Sequence, residues 1–508
     1  MTNVVWFCAD QMRYDSVDCL GNDTIHTPNI GSIGRRGVRF HNHHTPCPSC
    51  SPSRATMFTG LYPRHHGLHR NGIALNETLS VVPRTLAENG FRTHGVGKFH
   101  LQPLQAPADR RMPESLAFWN QPNAHEWRGP YYGFETIDMM MGEGEFCLHG
   151  GHYRHWLQTH HPDIVELYSS EAALSDIPDD LFEVWKMAVP QHLHYNFWIA
   201  DNAVKFIDGA DPSESHFLYV SFPDPHHPFT PPRPYCDLYD PKDVPLPSIR
   251  AGELDLMPSY LRESGDSWAE FGALSYADVP DGPVEQGAMR TTADISEETM
   301  RLVIAHTYGA IEMIDDAVGR VIDALRRNDM LKDTLLMFTT DHGEYLGDHG
   351  LLRKGPPPYR AVTHVPMLMS GPGIPWGAEV DTLTSHIDIF ATLCDYLDIP
   401  EPETDGESLL PLIRRTGNLT RNVLYGEYHT RAFKDQYNLS LVTDRWRLTI
   451  YPENADWGEL FDLENDPGEH QNLYHAPKAQ TVVKELSDQL IREFPPFPEI
   501  DSEILGLY

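Results

Sequence analysis

The chain has 508 residues, 40% of them apolar and 22% charged, with a formal net charge of −34. That is the make-up of an ordinary globular protein, long enough for one large domain and a smaller one. The charge argues against nucleic acid or an anionic membrane as a partner and disfavours long polyanionic substrates; no run of residues approaches the 18 apolar positions of a membrane span. Seven scattered cysteines fit a reducing compartment. Met1 to Asp10 lacks the basic start and long apolar stretch of a signal peptide. A cytoplasmic protein is the expectation.

Val4 to Phe7 is a short apolar run ending at Asp10 and Gln11, as in a buried strand that delivers a carboxylate at its C-terminal end. Cys50-Ser51-Pro52-Ser53-Arg54 then reads as a tight turn into a helix closed by Gly60. Cys50 would stand at the helix N-terminus, where free N–H groups and the dipole favour anions. Arg54, one turn along, adds a positive charge. Cys47 and Cys50 also form a C-x-x-C, so a redox pair, half a zinc site or inert buried thiols stay open. Asn71, in Arg70-Asn71-Gly72, is either a turn residue or a ligand group.

Thr78 to Asn89 reads as a helix, and Arg92 to Gly97 as a strand delivering Lys98 and His100. Residues from about Gln102 to His194 are rich in Pro, His, Trp and Met with weak periodicity, and read as an insertion over the site. Its Trp119, Trp127, Tyr131 and Tyr132 could cage a cation, stack on a ring or simply pack. Phe217 to Phe222 is a further strand, ending before Pro225-His226. A second insertion runs from about Pro231 to Asp294. Ser296 to Arg327 carries apolar residues at helical spacing behind a serine cap, and Leu335 to Thr340 is a strand delivering Asp341 and His342. From about Asn418 short strands follow (Trp446 to Tyr451, Glu459 to Leu463), then a helix from Ala479 to Phe494. The alternation predicts an α/β fold: a large, mostly parallel central sheet sandwiched by helices over residues 1–415, and a smaller α+β domain over 416–508.

Cys50 to Gly60 resembles the signature of the type I sulfatases, in the alkaline phosphatase superfamily, and companion motifs follow in that family's order along almost the whole chain. The resemblance implies a sulfuric ester hydrolase of arylsulfatase type. It implies that a formylglycine-generating enzyme oxidises Cys50, so that an aldehyde hydrate rather than a thiolate is the nucleophile. It also implies one divalent metal, held by Asp10, Gln11, residue 50, Asp341 and His342. Calcium is the family's ion, with Mn²⁺ the alternative that an imidazole ligand suggests. The Asp-Gln and Asp-His pairs depart from the commoner Asp-Asp and Asp-Asn and resemble choline sulfatases and phosphonate monoester hydrolases.

Gly97-Lys98-Phe99-His100 resembles the family's Gly-Lys-aromatic-His. Lys98 would contact a sulfate oxygen, and His100 would take the proton that releases sulfate. Pro225-His226-His227-Pro228-Phe229 resembles Pro-His-x-Pro-Phe, so His226 rather than His227 would protonate the leaving alcohol. Lys354 matches the second catalytic lysine, Arg353 beside it is expected to be structural or solvent-facing, and Asn71 would bind the sulfuryl group. The implied substrate is a small organic sulfate ester. The Lys-x-His pair favours sulfate over phosphonate esters, because phosphonate monoester hydrolases do not keep it. Two alternatives stand beside this: a phosphonate monoester or phosphodiester hydrolase with the same nucleophile, and a non-catalytic anion-binding protein with unmodified Cys50. A homo-oligomer is open.

Overall fold

The computed structural model describes residues 2–250, 252–253, 289–429, 437–454, 456–496 and 503–505. Its centre is an eight-stranded sheet built from β1 (Asn3–Ala9), β2 (Val38–Phe40), β3 (Phe91–Gly97), β4 (Thr136–Met139), β5 (Ser215–Ser221), β6 (Thr334–Thr340), β7 (Met367–Ser370) and β8 (Ala378–Val380). The order is β8-β2-β7-β6-β1-β5-β3-β4. Only β7 runs against its neighbours. The other neighbouring pairs are parallel.

β1 is buried along its whole length, which is why it reads as an unbroken apolar run rather than an alternating one. Alternate residues still face opposite sides. Val5, Phe7 and Ala9 enter one core, with residues of the helices α1 (Pro28–Arg35), α3 (Tyr195–Asp208) and α4 (Glu297–Arg327). Val4, Trp6 and Cys8 enter the other, with residues of α2 (Cys50–Thr59) and α5 (Asp388–Leu397). The sheet is therefore covered on both faces, as the alternation of elements predicted.

α4 forms as expected, with Ser296 Oγ accepting from the Thr299 N–H. Its buried Asp315 serves a second helix. The two carboxylate oxygens accept from the backbone N–H groups of Ile30 (2.7 Å) and Asn29 (3.1 Å), in the first turn of α1. The helix expected from Thr78 starts later, at Val82. Asn76 holds Thr78 in a side-chain turn, and Pro83 fits only a first helical turn.

The first insertion is more than a covering loop. It supplies the edge strand β4 and a helix, Gly151–His160. Trp119, Tyr131 and Tyr132 are buried in the second core and Trp127 packs against it, so all four are packing residues. Of the second insertion, residues 254–288 lie outside the described residues. Beyond it, four antiparallel strands, β9 (Leu424–His429), β10 (Tyr437–Val442), β11 (Trp446–Ile450) and β12 (Gly458–Asp462), make a second sheet. The helix α6 (Gln480–Glu493) packs on it through Val483 and Leu490. No helix among the described residues is long and apolar enough to cross a membrane.

Gly97 ends β3 directly before Lys98. Its φ is +103°, and a Cβ there would meet the Ser221 carbonyl oxygen at 1.8 Å. The Gly97→Ala variant is expected to lose about 2 kcal/mol or more of stability through backbone strain and this clash. A lowered urea midpoint would register it; a parental midpoint would contradict the packing.

Candidate active site

β1, β3, β5 and β6 are parallel neighbours in near-perfect register, with Ala9 opposite Thr340 and Gly97 opposite Ser221. Their C-terminal ends lie along one edge of the sheet. Asp10 and Gln11, Lys98 and His100, Pro225 and His226, and Asp341 and His342 follow those ends, where open α/β sheets build their sites.

α2 points its N-terminus at this edge. Ser49 is extended (φ −140°, ψ 140°), Cys50 opens the helix, and Gly60 closes it at φ +68°. Ser49 does not cap the helix with its own side chain. Asn71 does so from outside: its Oδ1 accepts from the Ser51 N–H and the Ser49 hydroxyl, both at 3.2 Å. Cys50 Sγ lies 3.2 Å from His342 Nε2 and 3.9 Å from Asp10 Oδ1. Burial first, and then the Asp10 carboxylate, push this thiol up to about 12. Lys354 and Lys98 pull the other way without outweighing that burial. Cys47 is buried and unpaired and stands outside the cluster around Cys50.

Arg54 is fully buried beneath the edge. Nε donates to Asp341 Oδ2 at 2.9 Å, and Nη2 donates to Asp10 Oδ2 at 3.1 Å. Nη1 donates to the Lys98 carbonyl at 3.0 Å and to Ser221 Oγ at 2.9 Å. Lys98 Nζ lies 2.7 Å from Asp10 and 2.8 Å from Glu143. Burial opposes ionisation of Asp10, but Lys98 and Arg54 outweigh it and hold the carboxyl well below its usual range.

His342 donates from Nδ1 to the Gly343 carbonyl at 2.9 Å. That bond leaves the lone pair of Nε2 facing Cys50, with Asp10 Oδ1 at 3.9 Å and Asp341 Oδ1 at 3.8 Å. Burial pulls His342 down to about 4 against the pull of Asp341, so the imidazole is neutral. Asp10, Cys50, Asp341 and His342 each bring one ligand atom within 4.8 Å of the others. A neutral imidazole with its far nitrogen anchored, beside two carboxylates, fits a divalent cation. Gln11 stands alongside. Its backbone N–H donates to Asp341 Oδ1 at 3.0 Å, its side-chain oxygen accepts from Lys354 at 2.7 Å, and its amide donates to Glu344.

Lys354 Nζ also lies 2.8 Å from His226 Nε2, and His226 Nδ1 donates to the His227 carbonyl at 2.6 Å. His226 is thus a neutral ring whose lone pair accepts from the ammonium of Lys354. His227 stacks on it with ring centres 4.0 Å apart and meets the Gln11 amide. His100 is buried, and burial, then Lys98 and Arg54, keep it well below its ordinary pKa. Arg353 proves fully buried, paired with Glu183 of the first insertion at 2.6 Å, and does not face solvent.

Asp10, Gln11, Cys50, Arg54, Asn71, Lys98, His100, His226, Asp341, His342 and Lys354 gather at this edge, whereas the four aromatics of the first insertion and Cys47 do not. Four carboxylates that the sequence reading passed over also support it. Glu143 pairs with Lys98. Glu344 receives Gln11, and its other oxygen accepts from the Leu346 N–H at 3.0 Å. Glu114 accepts from the His100 and Leu101 N–H groups at 2.5 and 2.7 Å. Asp224 holds Tyr195 and Asn196 at 3.0 and 2.7 Å. Glu344 and Asp224 carried a signal, because one directly follows Asp341-His342-Gly343 and the other directly precedes Pro225-His226.

The sulfatase family profile matches residues 2–399, most of the chain. The chain belongs to the sulfatase family. This sulfatase is accordingly a sulfuric ester hydrolase. A second profile, the C-terminal region of N-sulphoglucosamine sulphohydrolase, matches residues 347–494. The sequence is 27% identical to an arylsulfatase of Clostridium perfringens over 97% of this chain and 94% of that protein. It is 26% identical to a choline-sulfatase of Rhizobium meliloti over 94% and 83%. In fold it resembles the phosphonate monoester hydrolase of Agrobacterium radiobacter, with a TM-score of 0.76 at 24% identity over 97% of this chain and 95% of that one.

Removing the guanidinium leaves two buried carboxylates facing each other. Arg54→Ala is expected to cost about 3–5 kcal/mol, measured by chemical denaturation, and Arg54→Lys should recover only part of it because one ammonium cannot span the same partners. An alanine variant as stable as the parent would contradict the role of this ion pair.

Proposed function

We propose that this sulfatase hydrolyses a small organic sulfate ester to an alcohol and inorganic sulfate, with residue 50 acting as formylglycine and one divalent cation beside it. The supporting observation is the buried cluster of Asp10, Cys50, Asp341 and His342 at the N-terminus of α2, with two lysines and two histidines around it. A thiol held up at about 12 is a poor nucleophile, which favours the oxidised side chain supplied by a formylglycine-generating enzyme.

Asp10, Asp341 and His342, with Gln11 alongside, would hold the cation, Ca²⁺ or, through the imidazole, Mn²⁺. When bound, it polarises the ester oxygens and favours the ionised nucleophile. The hydrated aldehyde of residue 50 offers two hydroxyls, one to attack sulfur and one whose deprotonation expels sulfate. Lys98, held by Asp10 and Glu143, is available to the sulfate oxygens. His100, neutral and buried, is suited to take the second hydroxyl's proton. The leaving alcohol takes its proton from His226 and Lys354 acting as a pair, because His226 Nε2 already accepts from Lys354. Asn71, in this reading, both caps α2 and lies within reach of the sulfuryl group.

Peptide mass spectrometry of the segment around Cys50 should find formylglycine in active enzyme, and Cys50→Ala should abolish turnover; an unmodified thiol in active enzyme refutes the scheme. His226→Ala and Lys354→Ala should each lower kcat/KM about 10²–10⁴-fold for alkyl sulfates and much less for activated aryl sulfates. An equal loss across leaving groups would remove the pair from that step. Matched aryl sulfate and phosphonate monoester substrates decide between the two ester classes, with sulfate expected to turn over faster.

A further inference from the structure

Away from the active site, the described residues contain a second cluster of metal-ligating groups: Glu253, His349 and His470. They come from three distant segments. Glu253 lies in the second insertion, where its Oε2 accepts from the Arg250 N–H at 3.1 Å. His349 lies in the loop between His342 and Lys354. His470 follows β12 in the C-terminal region. One ligand atom of each lies within 4.8 Å of the other two. Glu253 Oε1 is 2.5 Å from His349 Nδ1 and 3.6 Å from His470 Nδ1.

The side chains are held for this meeting. The His349 ring packs on Tyr359 with centres 4.0 Å apart. His349 adopts φ +59°, a left-handed conformation that a non-glycine residue keeps only when its surroundings demand it. The His470 ring lies over Gly468, where a Cβ would come within 2.8 Å of it. Neighbouring charges are already committed. Glu469 pairs with Arg447 and accepts from the Arg360 N–H, and Asp348 pairs with Arg13 at 2.8 Å. The buried Nδ1 of His470, by contrast, has no hydrogen-bond partner. Leaving such a nitrogen unsatisfied is costly, and one cation would engage it together with the Glu253 oxygen and the His349 nitrogen.

We propose that Glu253, His349 and His470 bind a second divalent transition-metal ion, independent of the active site. Two imidazoles and one carboxylate are a Zn²⁺ donor set with a fourth position left for water. A cavity of about 300 Å³, lined by His349, Asp348, Arg360 and residues 467–469, borders the cluster on its His349 side. The ion would clamp the second insertion and the C-terminal segment onto the loop that ends at Lys354. Within that loop the Tyr345 N–H donates to the Arg353 carbonyl (2.9 Å) and the Gly347 N–H to the Leu351 carbonyl (2.8 Å), and Arg290 and Thr291 pair with Leu352 and Leu351.

The test strips the full-length enzyme with a chelator, re-equilibrates it with Zn²⁺, desalts it and counts zinc per chain by elemental mass spectrometry. The parent should retain about one equivalent more than His470→Ala or His470→Gln, the active-site ligands being common to all three. Added Zn²⁺ should also raise the thermal midpoint of the parent by more than it raises that of either variant. Circular dichroism checks the fold of each. Should a His470 variant fail to fold, Glu253→Gln is judged by the same difference. Equal zinc content and equal thermal shifts in the parent and the folded variants overturn the proposal.

Discussion

One guanidinium joins the ends of four strands. Arg54 reaches Asp10 after β1, the Lys98 carbonyl after β3, Ser221 at the end of β5 and Asp341 after β6. Two carboxylates side by side in a dry interior would repel, and one would protonate. Arg54 lets both stay charged and sets their spacing. Because it stands one turn into α2, the same contacts fix the helix N-terminus, and with it residue 50, against the sheet. A planar fork with five donors can make this set of bonds; a single ammonium cannot.

The site inverts the character of the molecule. A chain of net charge −34 gathers Arg54, Lys98 and Lys354 around residue 50. Two of the three are neutralised locally, Arg54 by Asp10 and Asp341, and Lys98 by Asp10 and Glu143. Lys354 is instead turned onto neutral acceptors, Gln11 and His226. An anionic ester therefore meets one buried ammonium that is not bound to a carboxylate in the contacts described, and that ammonium sits beside the ring assigned to the leaving group. The first insertion contributes to this arrangement directly. Glu143 steers Lys98, Glu114 shapes the turn at His100, and Glu183 anchors Arg353 next to Lys354.

Much of this was legible in the chain. The apolar run before Asp10, the proline and glycine that bracket α2, and the heptad-like spacing of α4 each carry a local physical signal. Such signals fail where the partner is distant. Thr78 has helix-forming neighbours, but the side chain of Asn76 holds it in a turn. Arg353 reads as either structural or solvent-facing until Glu183, 170 positions earlier, is brought against it. Glu143, between two glycines and two residues from Glu145, shows its importance only beside Lys98.

The residue types, their order and their helical or extended settings follow from the sequence alone, because capping, periodicity and strand burial are local. That was sufficient for the α/β class, and the resemblance of the motifs to the sulfatases nominated Cys50, the two lysines, the histidines and the paired ligand groups. Which nitrogen of His342 faces Cys50, which partner holds His226 neutral, and that Asn71 caps α2 depend on parallel strand register and on carboxylates donated by a weakly patterned insertion. Those were decided by tertiary packing, since a buried hydrogen bond is specified by the two surfaces that meet and not by either stretch of chain.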